Sequence, residues 1–334
     1  MVNYTAYSLL EHNTFGINVR CRSFYQFDSK KELKELWGNG LFKEKWLVVG
    51  GGSNLLLMND LDYPVLHSGM TEIGLERETG EEIFVRADAG VCWDDFVAYT
   101  VEKNWAGLEN LSYIPGTVGA APVQNVGAYG VEAKDLVYEV EVFDTQTGTF
   151  QTMRNEQCLF GYRDSFFKRN HSFIVVSVVF KLSTSADYKF KLDYGNIREV
   201  VDAGGKTIGG VRQAIISIRR SKLPEVGEVG SAGSFFKNPV VPKSVYEDIE
   251  RMYDVPVYEV DECRRKIPAA WLISQCGWKG KSMGKAGVYE KQPLILVNRG
   301  GASGSDVLQL MKAIQSSVKQ KFGIELQPEV CIVE

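Results

Sequence analysis

Two glycine-rich stretches hold the residue types that could cradle a charged, flat ligand. The first is Val48-Val49-Gly50-Gly51-Gly52-Ser53-Asn54-Leu55-Leu56, where adjacent glycines follow a short apolar strand. Glycine has no side chain and tolerates positive φ, so successive amide N–H groups can face a phosphate at close range. Gly50 and Gly52 fit the start of a Gly-x-Gly-x-x-Gly dinucleotide pattern. Leu55 stands at its third glycine, so close helix–strand packing is not specified. On these glycines alone, a plain turn is an equal reading. The second stretch runs from Ile114-Pro115-Gly116-Thr117-Val118-Gly119 through Ala120-Ala121-Pro122-Val123-Gln124-Asn125 to Val126-Gly127-Ala128-Tyr129-Gly130. Its four glycines and two prolines predict neither a regular helix nor a central strand. Such a segment can wrap a planar ligand with its backbone, while Gln124 and Asn125 offer paired donors and acceptors to a ring edge.

Three later segments complete a pattern: Gly161-Tyr162-Arg163-Asp164-Ser165, Gly230-Ser231-Ala232-Gly233-Ser234-Phe235-Phe236-Lys237-Asn238-Pro239, and Leu326-Gln327-Pro328-Glu329-Val330. In this order, and over essentially the whole chain, the segments resemble the UDP-N-acetylenolpyruvoylglucosamine reductases, the MurB flavoenzymes of peptidoglycan precursor synthesis. The resemblance implies an α+β chain with a two-part FAD-binding region of the vanillyl-alcohol-oxidase (PCMH) type and a C-terminal α+β substrate-binding domain. The implied division is 1–66 and 67–208 for FAD, the latter rejoined by 325–334, and 209–324 for substrate. Gly50, Gly51, Gly52, Ser53, Asn54 and Leu55 would hold the FAD pyrophosphate. Ile114, Pro115, Gly116, Gly119, Ala120, Gln124, Asn125, Gly127 and Ala128 would line the isoalloxazine, and Arg219 would reach the phosphates. Relatives in the wider fold often attach flavin through a histidine after the glycine pair. Ser53 occupies that neighbourhood, so FAD is expected to be non-covalent.

The resemblance also implies a catalytic trio, Arg163, Ser234 and Glu329, and the chemistry explains those residue types. An enolpyruvyl ether accepts hydride at its methylene carbon only if the adjoining carboxylate withdraws charge. Arg163 can bind that carboxylate through two hydrogen bonds. A protonated Glu329 can stabilise the enolate-like intermediate by donating a hydrogen bond. The enolate is a strong base, so the hydroxyl of Ser234 suffices as the proton donor, and Gly233 permits close approach. Taken singly, Arg163-Asp164 reads as a surface ion pair, Ser234 as a turn hydroxyl and Glu329 as a solvated carboxylate. Lys222 and Asn238 match positions that bind the substrate's diphosphate. Tyr194, in Asp193-Tyr194-Gly195-Asn196, matches a tyrosine on a loop closing over substrate, the mark of the type I subclass.

The implied reaction uses NADPH to reduce FAD and then UDP-N-acetylglucosamine enolpyruvate as acceptor, alternating in one cleft. No metal is expected. A FAD-dependent carbohydrate oxidase of the same fold is the alternative enzyme, and a nucleotide-sugar-binding module without turnover is the alternative outside catalysis. Three departures stand out. Cys331 replaces an arginine common two positions past the glutamate, Ala120 and Ala121 replace frequent serines, and Gln327 replaces a frequent glutamate.

The elements that must position these groups are legible in the pattern. Ser29-Lys30-Lys31-Glu32 is a capping box, followed by apolar Leu33, Leu36 and Trp37 before Gly38. Residues 63–182 are rich in short strands (Ile83 to Ala87, Val137 to Phe143, Ser172 to Phe180), with one helix from Trp93 to Asn104. Further helices begin at Pro242, with Val245, Ile249 and Met252 on one face, and at Pro268. A last one runs from Ser305 to Gly323. In 334 residues, 38 Lys+Arg against 42 Asp+Glu give a net charge of -4, which excludes a polybasic nucleic-acid binder. No apolar run approaches membrane-span length. Six scattered cysteines without a Cys-x-x-Cys pair predict buried free thiols in a reducing cytoplasm, and the chain is expected to act there as a monomer. Three dispersed histidines leave little room for metal or triad chemistry.

Overall fold

A computed structural model describes residues 1–194, 197–225 and 227–334. The chain divides into two compact units, Met1–Tyr7 with Cys21–Gly51 and Leu61–Arg219, and Ser8–Arg20 with Gly52–Asp60 and Arg220–Glu334. Both mix helices and strands, in agreement with an α+β chain.

The first unit is built on two sheets. One orders its strands Val2–Ser8, Arg20–Phe27, Leu61–Ser68, Leu47–Val48, and the last strand feeds the first glycine stretch. The other is antiparallel, in the order Thr149–Arg154, Val137–Asp144, Phe173–Ser183, Glu82–Asp88, Ile73–Thr79. Its central strand, Phe173–Ser183, is buried over almost its whole length because both faces are covered. Ile174 and Val176 join Phe27, Leu33 and Leu36 on one side. Val175, Val178, Phe180 and Leu182 join Trp93, Phe96 and Val97 of the helix Trp93–Glu102 on the other. Val176 and Val178 would share a face in a regular strand. The register shift opposite Glu141 and Val142 inserts an extra residue and flips the alternation.

In the second unit an antiparallel sheet orders Gly230–Ser234, Ile295–Asn298, Ala286–Val288, Ser282–Met283. The helix Gly304–Phe322 supplies Val307, Leu310, Met311, Ile314, Val318 and Phe322 to its core, at helical spacing. Ser303 and Asp306 close a reciprocal capping box at its start, and Gly323 ends it at φ +68°. Ile314 is fully buried, so Ile314→Ala is expected to cost about 2–5 kcal/mol, read as a lowered urea midpoint with an unchanged slope.

Several elements differ from the sequence reading. At the helix Lys30–Gly38, Ser29 accepts from the Glu32 N–H, but the Glu32 carboxylate accepts from the Asp28 N–H instead of closing the box. Trp37 stays outside the core, 39% exposed, and donates its indole N–H to Thr145 O at 2.9 Å. The helix after Pro242 ends at Glu250, which leaves Met252 outside it and exposed, and Tyr246 takes its place in the buried face. Ala120–Gln124 forms one helical turn, where a non-helical loop is expected. Pro122 fits because the first turn has no intrahelical use for its N–H. The helix Ile208–Lys222 is not anticipated at all. All six thiols are free, but only Cys21 and Cys158 are buried, and Cys92 and Cys263 are exposed. Burial pushes the Cys21 and Cys158 thiols up to about 11 and about 12. Among the described residues no helix is long and apolar enough to cross a membrane.

Candidate active site

In the first unit the two glycine stretches meet backbone to backbone. A Cβ on Gly51 would lie 2.9 Å from Gly116 Cα, and one on Gly50 would lie 2.5 Å from Thr117 Oγ1. The second stretch is clamped from behind: Trp93 N–H reaches Gly116 O at 3.0 Å, Val118 N–H reaches Val91 O at 2.9 Å, and Gly119 N–H reaches Ala89 O at 3.0 Å. A Cβ on Gly119 would strike that of Ala89 at 2.7 Å. Ile114 packs on the core beneath, Pro115 is exposed, and Ala120 opens the short helix half-buried.

Arg163 is delivered to this cradle by a tight turn. Gly161 and Asp164 pair across it, and Arg163 sits at φ +53°, a left-handed conformation uncommon for a non-glycine residue. Its guanidinium donates to Gly127 O, in the two-stranded ladder of Gly127–Ala128 with Val131–Glu132. Asp164 pairs with Arg169 at 2.7 Å. The turn is docked by Ser165 Oγ on Val123 O at 2.8 Å and by Lys168 Nζ on Gln124 Oε1 at 2.9 Å.

Asn125 ties the cradle to the Arg163 turn, and here the sequence expectation needs correcting. It is fully buried at φ +42°. Its amide donates to Gly161 O at 2.7 Å and to Glu132 Oε2 at 2.9 Å, and its Oδ1 accepts the Lys134 N–H at 3.0 Å. Both side-chain protons serve the protein's own scaffold, so the Asn125 amide is not available to a ring edge. Composition alone shows a polar side chain but not which way it turns.

Arg219, near the end of the helix Ile208–Lys222, is half-buried. It donates Nε–H to Tyr113 O at 2.9 Å and bonds the Tyr129 hydroxyl. Burial pulls its guanidinium below the ordinary value, so a nearby anion would relieve a real cost. Tyr113 in turn gives its N–H to Asp94, which Arg212 holds through bonds of 2.6 and 2.9 Å. Desolvation raises the Asp94 carboxyl, but Arg212, the Tyr113 N–H and Arg219 outweigh it and leave the group below the usual carboxylate range. A depressed acid stabilises the fold above its unfolded value of ~3.9, and that stability is lost as pH falls through the folded value. Asp94→Asn is therefore expected to lower the melting temperature clearly at pH 7, by an amount that shrinks progressively as pH falls below that unfolded value. A gap independent of pH would show that the charge is not what matters. Sequence reading missed Asp94, Arg212, Tyr113 and Tyr129. Only the aromatic at Tyr129 inside the glycine stretch gave any signal, since the acid–base pairing spans two helices far apart in the chain.

Tyr194 belongs to the first unit, with its ring edge-on to Tyr129 at 5.9 Å between centroids and 90° between planes. It is exposed, and its neighbours Gly195 and Asn196 lie outside the described residues.

The second unit holds the other two members of the trio. Gly230–Ser234 ends in a bulge, with Gly233 at φ +68° and Ser234 exposed. The chain's end returns to it: Glu329 N–H donates to Phe235 O at 2.8 Å, Lys237 N–H to Gln327 O at 2.9 Å, and Phe236 bridges Pro328. Beside them Asn54 Nδ2 reaches Glu329 O at 3.4 Å, and Leu55–Leu57 pairs in parallel with Cys331–Val333. Cys331, at the position where arginine is common, thus serves as a strand residue against Leu55. Gly52, buried at φ +60°, lies against His12 O, and Ser53 is half-buried. Asn238 Oδ1 accepts the Ala269 N–H at 2.9 Å at the start of the helix Ala269–Gln275, which leaves its amide protons for a ligand. Lys222 is exposed at its helix end.

Comparison with known proteins fits these features. A family model described as UDP-N-acetylenolpyruvoylglucosamine reductase, C-terminal domain, matches residues 225–333, and one described as FAD binding domain matches 24–154. The chain is 49% identical to the UDP-N-acetylenolpyruvoylglucosamine reductase of Bacteroides fragilis, over 97% of this chain and 98% of the relative. The chain belongs to the UDP-N-acetylenolpyruvoylglucosamine reductase (MurB) family. The Flavobacterium johnsoniae reductase is 41% identical over 98% of each chain. The crystal structure of the Thermus caldophilus reductase shares the fold, with a TM-score of 0.70 and 24% identity over all of this chain and 98% of that one. As a MurB-family chain it is an oxidoreductase, a UDP-N-acetylmuramate dehydrogenase of peptidoglycan precursor synthesis, and it carries the family's FAD-binding domain. The residues fit that cofactor. Bare backbone at Gly51 and Gly119 leaves no room for side chains, and Arg219 offers a half-buried cation to a phosphate.

Proposed function

We propose that the chain reduces UDP-N-acetylglucosamine enolpyruvate to UDP-N-acetylmuramate, with NADPH as electron source and FAD held non-covalently. The observation that supports this best is the return of the chain end, which brings Glu329 onto the Ser234 strand through Phe235 O. The backbones of two residues far apart in sequence are thereby brought together, as joint action on one enolate needs. Bound FAD supplies the hydride taken from NADPH and given to the methylene carbon.

The chain's own residues then act on the substrate's charge. Arg163 binds the enolpyruvyl carboxylate and draws electron density from the methylene carbon. Glu329, protonated, donates a hydrogen bond to the carboxylate oxygen that gains charge. Ser234 gives its hydroxyl proton to the remaining carbon of the former double bond, and solvent restores the serine. Lys222 and the free amide of Asn238 bind the diphosphate, and Tyr194 covers the substrate. In this reading residues 1–66 and 67–208, with 325–334, serve the flavin, and 209–324 serve the sugar nucleotide. Family membership favours this over the oxidase alternative, which has no use for a Ser234-type proton donor.

A steady-state assay tests the reading. NADPH oxidation should require UDP-N-acetylglucosamine enolpyruvate, yield a product two hydrogens heavier, and give parallel double-reciprocal plots for the two substrates. Oxygen consumption with a free sugar, and no response to the enolpyruvyl compound, would reject it.

A further inference from the structure

Glu109 and Asn110 lie side by side in the buried turn Glu109–Leu111, outside every segment assigned above to ligand binding. Asn110 is fully buried, and its amide donates to carbonyls of two separate segments, Tyr129 O at 2.9 Å and Lys191 O at 2.8 Å. Its Oδ1 is buried without a hydrogen-bond partner among the described residues. An apolar residue of the same shape would avoid that orphaned acceptor, so the two donors are the reason for an asparagine here. Glu109 is equally buried. It accepts the Gly107 N–H at 2.6 Å and the Tyr188 hydroxyl. Two adjacent side chains therefore hold the 188–191 stretch at both its ends. Three residues beyond Lys191 stands Tyr194, whose ring meets Tyr129, the residue that Asn110 holds with its other proton.

We propose that Glu109 and Asn110 are positioning residues that set Tyr194 for the substrate, by fixing the backbone on both sides of the Tyr129–Tyr194 ring contact. The proposal rests on the reading of Tyr194 as a substrate residue. It assigns no contact between this pair and the flavin or the nicotinamide.

The test is a double-substitution cycle on the FAD-loaded enzyme. Asn110→Leu keeps the shape and removes both donors. It is expected to raise KM for UDP-N-acetylglucosamine enolpyruvate by about tenfold or more, with flavin reduction by NADPH within about twofold of wild type. In a Tyr194→Ala background the same substitution should change KM by less than about twofold, because the residue it acts through is gone. Tyr188→Phe, which removes one hydroxyl, should shift KM in the same direction by about two- to fivefold. If Asn110→Leu does not fold, Tyr188→Phe in the two backgrounds decides alone. Effects of equal size with and without Tyr194, or a wild-type KM where Tyr194→Ala raises it, overturn the proposal and leave the reading of Tyr194 intact. A wild-type KM for Tyr194→Ala itself overturns that reading and the proposal with it.

Discussion

Ser234→Ala is expected to slow reduction of the enolpyruvyl substrate by about 10²–10⁴-fold, the usual range for a lost general acid, while NADPH still reduces the flavin at the wild-type rate. The separation follows from the roles: the hydroxyl serves only the acceptor half of the cycle, and removing it does not touch the cradle. Ser234 is also exposed at a strand end, after a glycine at φ +68°, so the change leaves no buried group unpaired and the fold should be unaffected. Ser234→Cys keeps a proton donor and should fall between alanine and wild type. Rapid mixing resolves the two half-reactions. Equal loss in both would assign Ser234 to the fold or to flavin binding, and no loss in either would remove it from the mechanism.

The second large effect lies in the first glycine stretch, where three neighbouring residues should respond in a graded series. A Cβ on Gly50 meets the end of the Thr117 side chain at 2.5 Å, which can rotate away. On Gly51 it meets backbone, Gly116 Cα, at 2.9 Å. On Gly52 it would lie 1.9 Å from His12 O, at φ +60°, where L-residues are strained whatever the space. Gly50→Ala is expected to cost about 1 kcal/mol and Gly51→Ala about 1–3, in the range of ordinary overpacking. Gly52→Val combines a backbone clash with a β-branched residue at positive φ, so it should exceed about 4 kcal/mol, the exceptional range for one substitution. Denaturant melts of the three variants would check the order. A Gly52→Val protein as stable as wild type would show that the stretch is looser than its packing indicates.

Much of the frame is legible in the sequence because its signals are local. Prolines at residues 242 and 268 and the last glycine mark helix ends, and the β-branched run at 174–179 marks a strand covered on both faces. The glycine stretches and the short motifs around Arg163, Ser234 and Glu329 announce the family, and the comparisons bear it out. The remainder depends on competing partners or on weak local propensity that composition does not reveal. Asn125 reads as a ligand amide until Gly161 O and the Lys134 N–H are seen to occupy it. Glu32 reads as half of a capping box until the Asp28 N–H claims its carboxylate. The helix Ile208–Lys222 carries Val211, Ala214, Ile215 and Ile218 at helical spacing, yet two glycines at its start hide it. For Asn125 and Glu32 the residue type suited the expected role, and a competing backbone partner set the side chain's orientation.

The central claim is that electrons pass from NADPH through bound flavin to an enolpyruvyl ether. An anaerobic absorbance experiment on the FAD-loaded protein tests it most directly. NADPH should bleach the oxidised flavin bands, and UDP-N-acetylglucosamine enolpyruvate, added without oxygen, should restore them in proportion to the amount supplied. Flavin that bleaches but regains its colour only when oxygen is admitted, or a protein that takes up no FAD, would contradict the account.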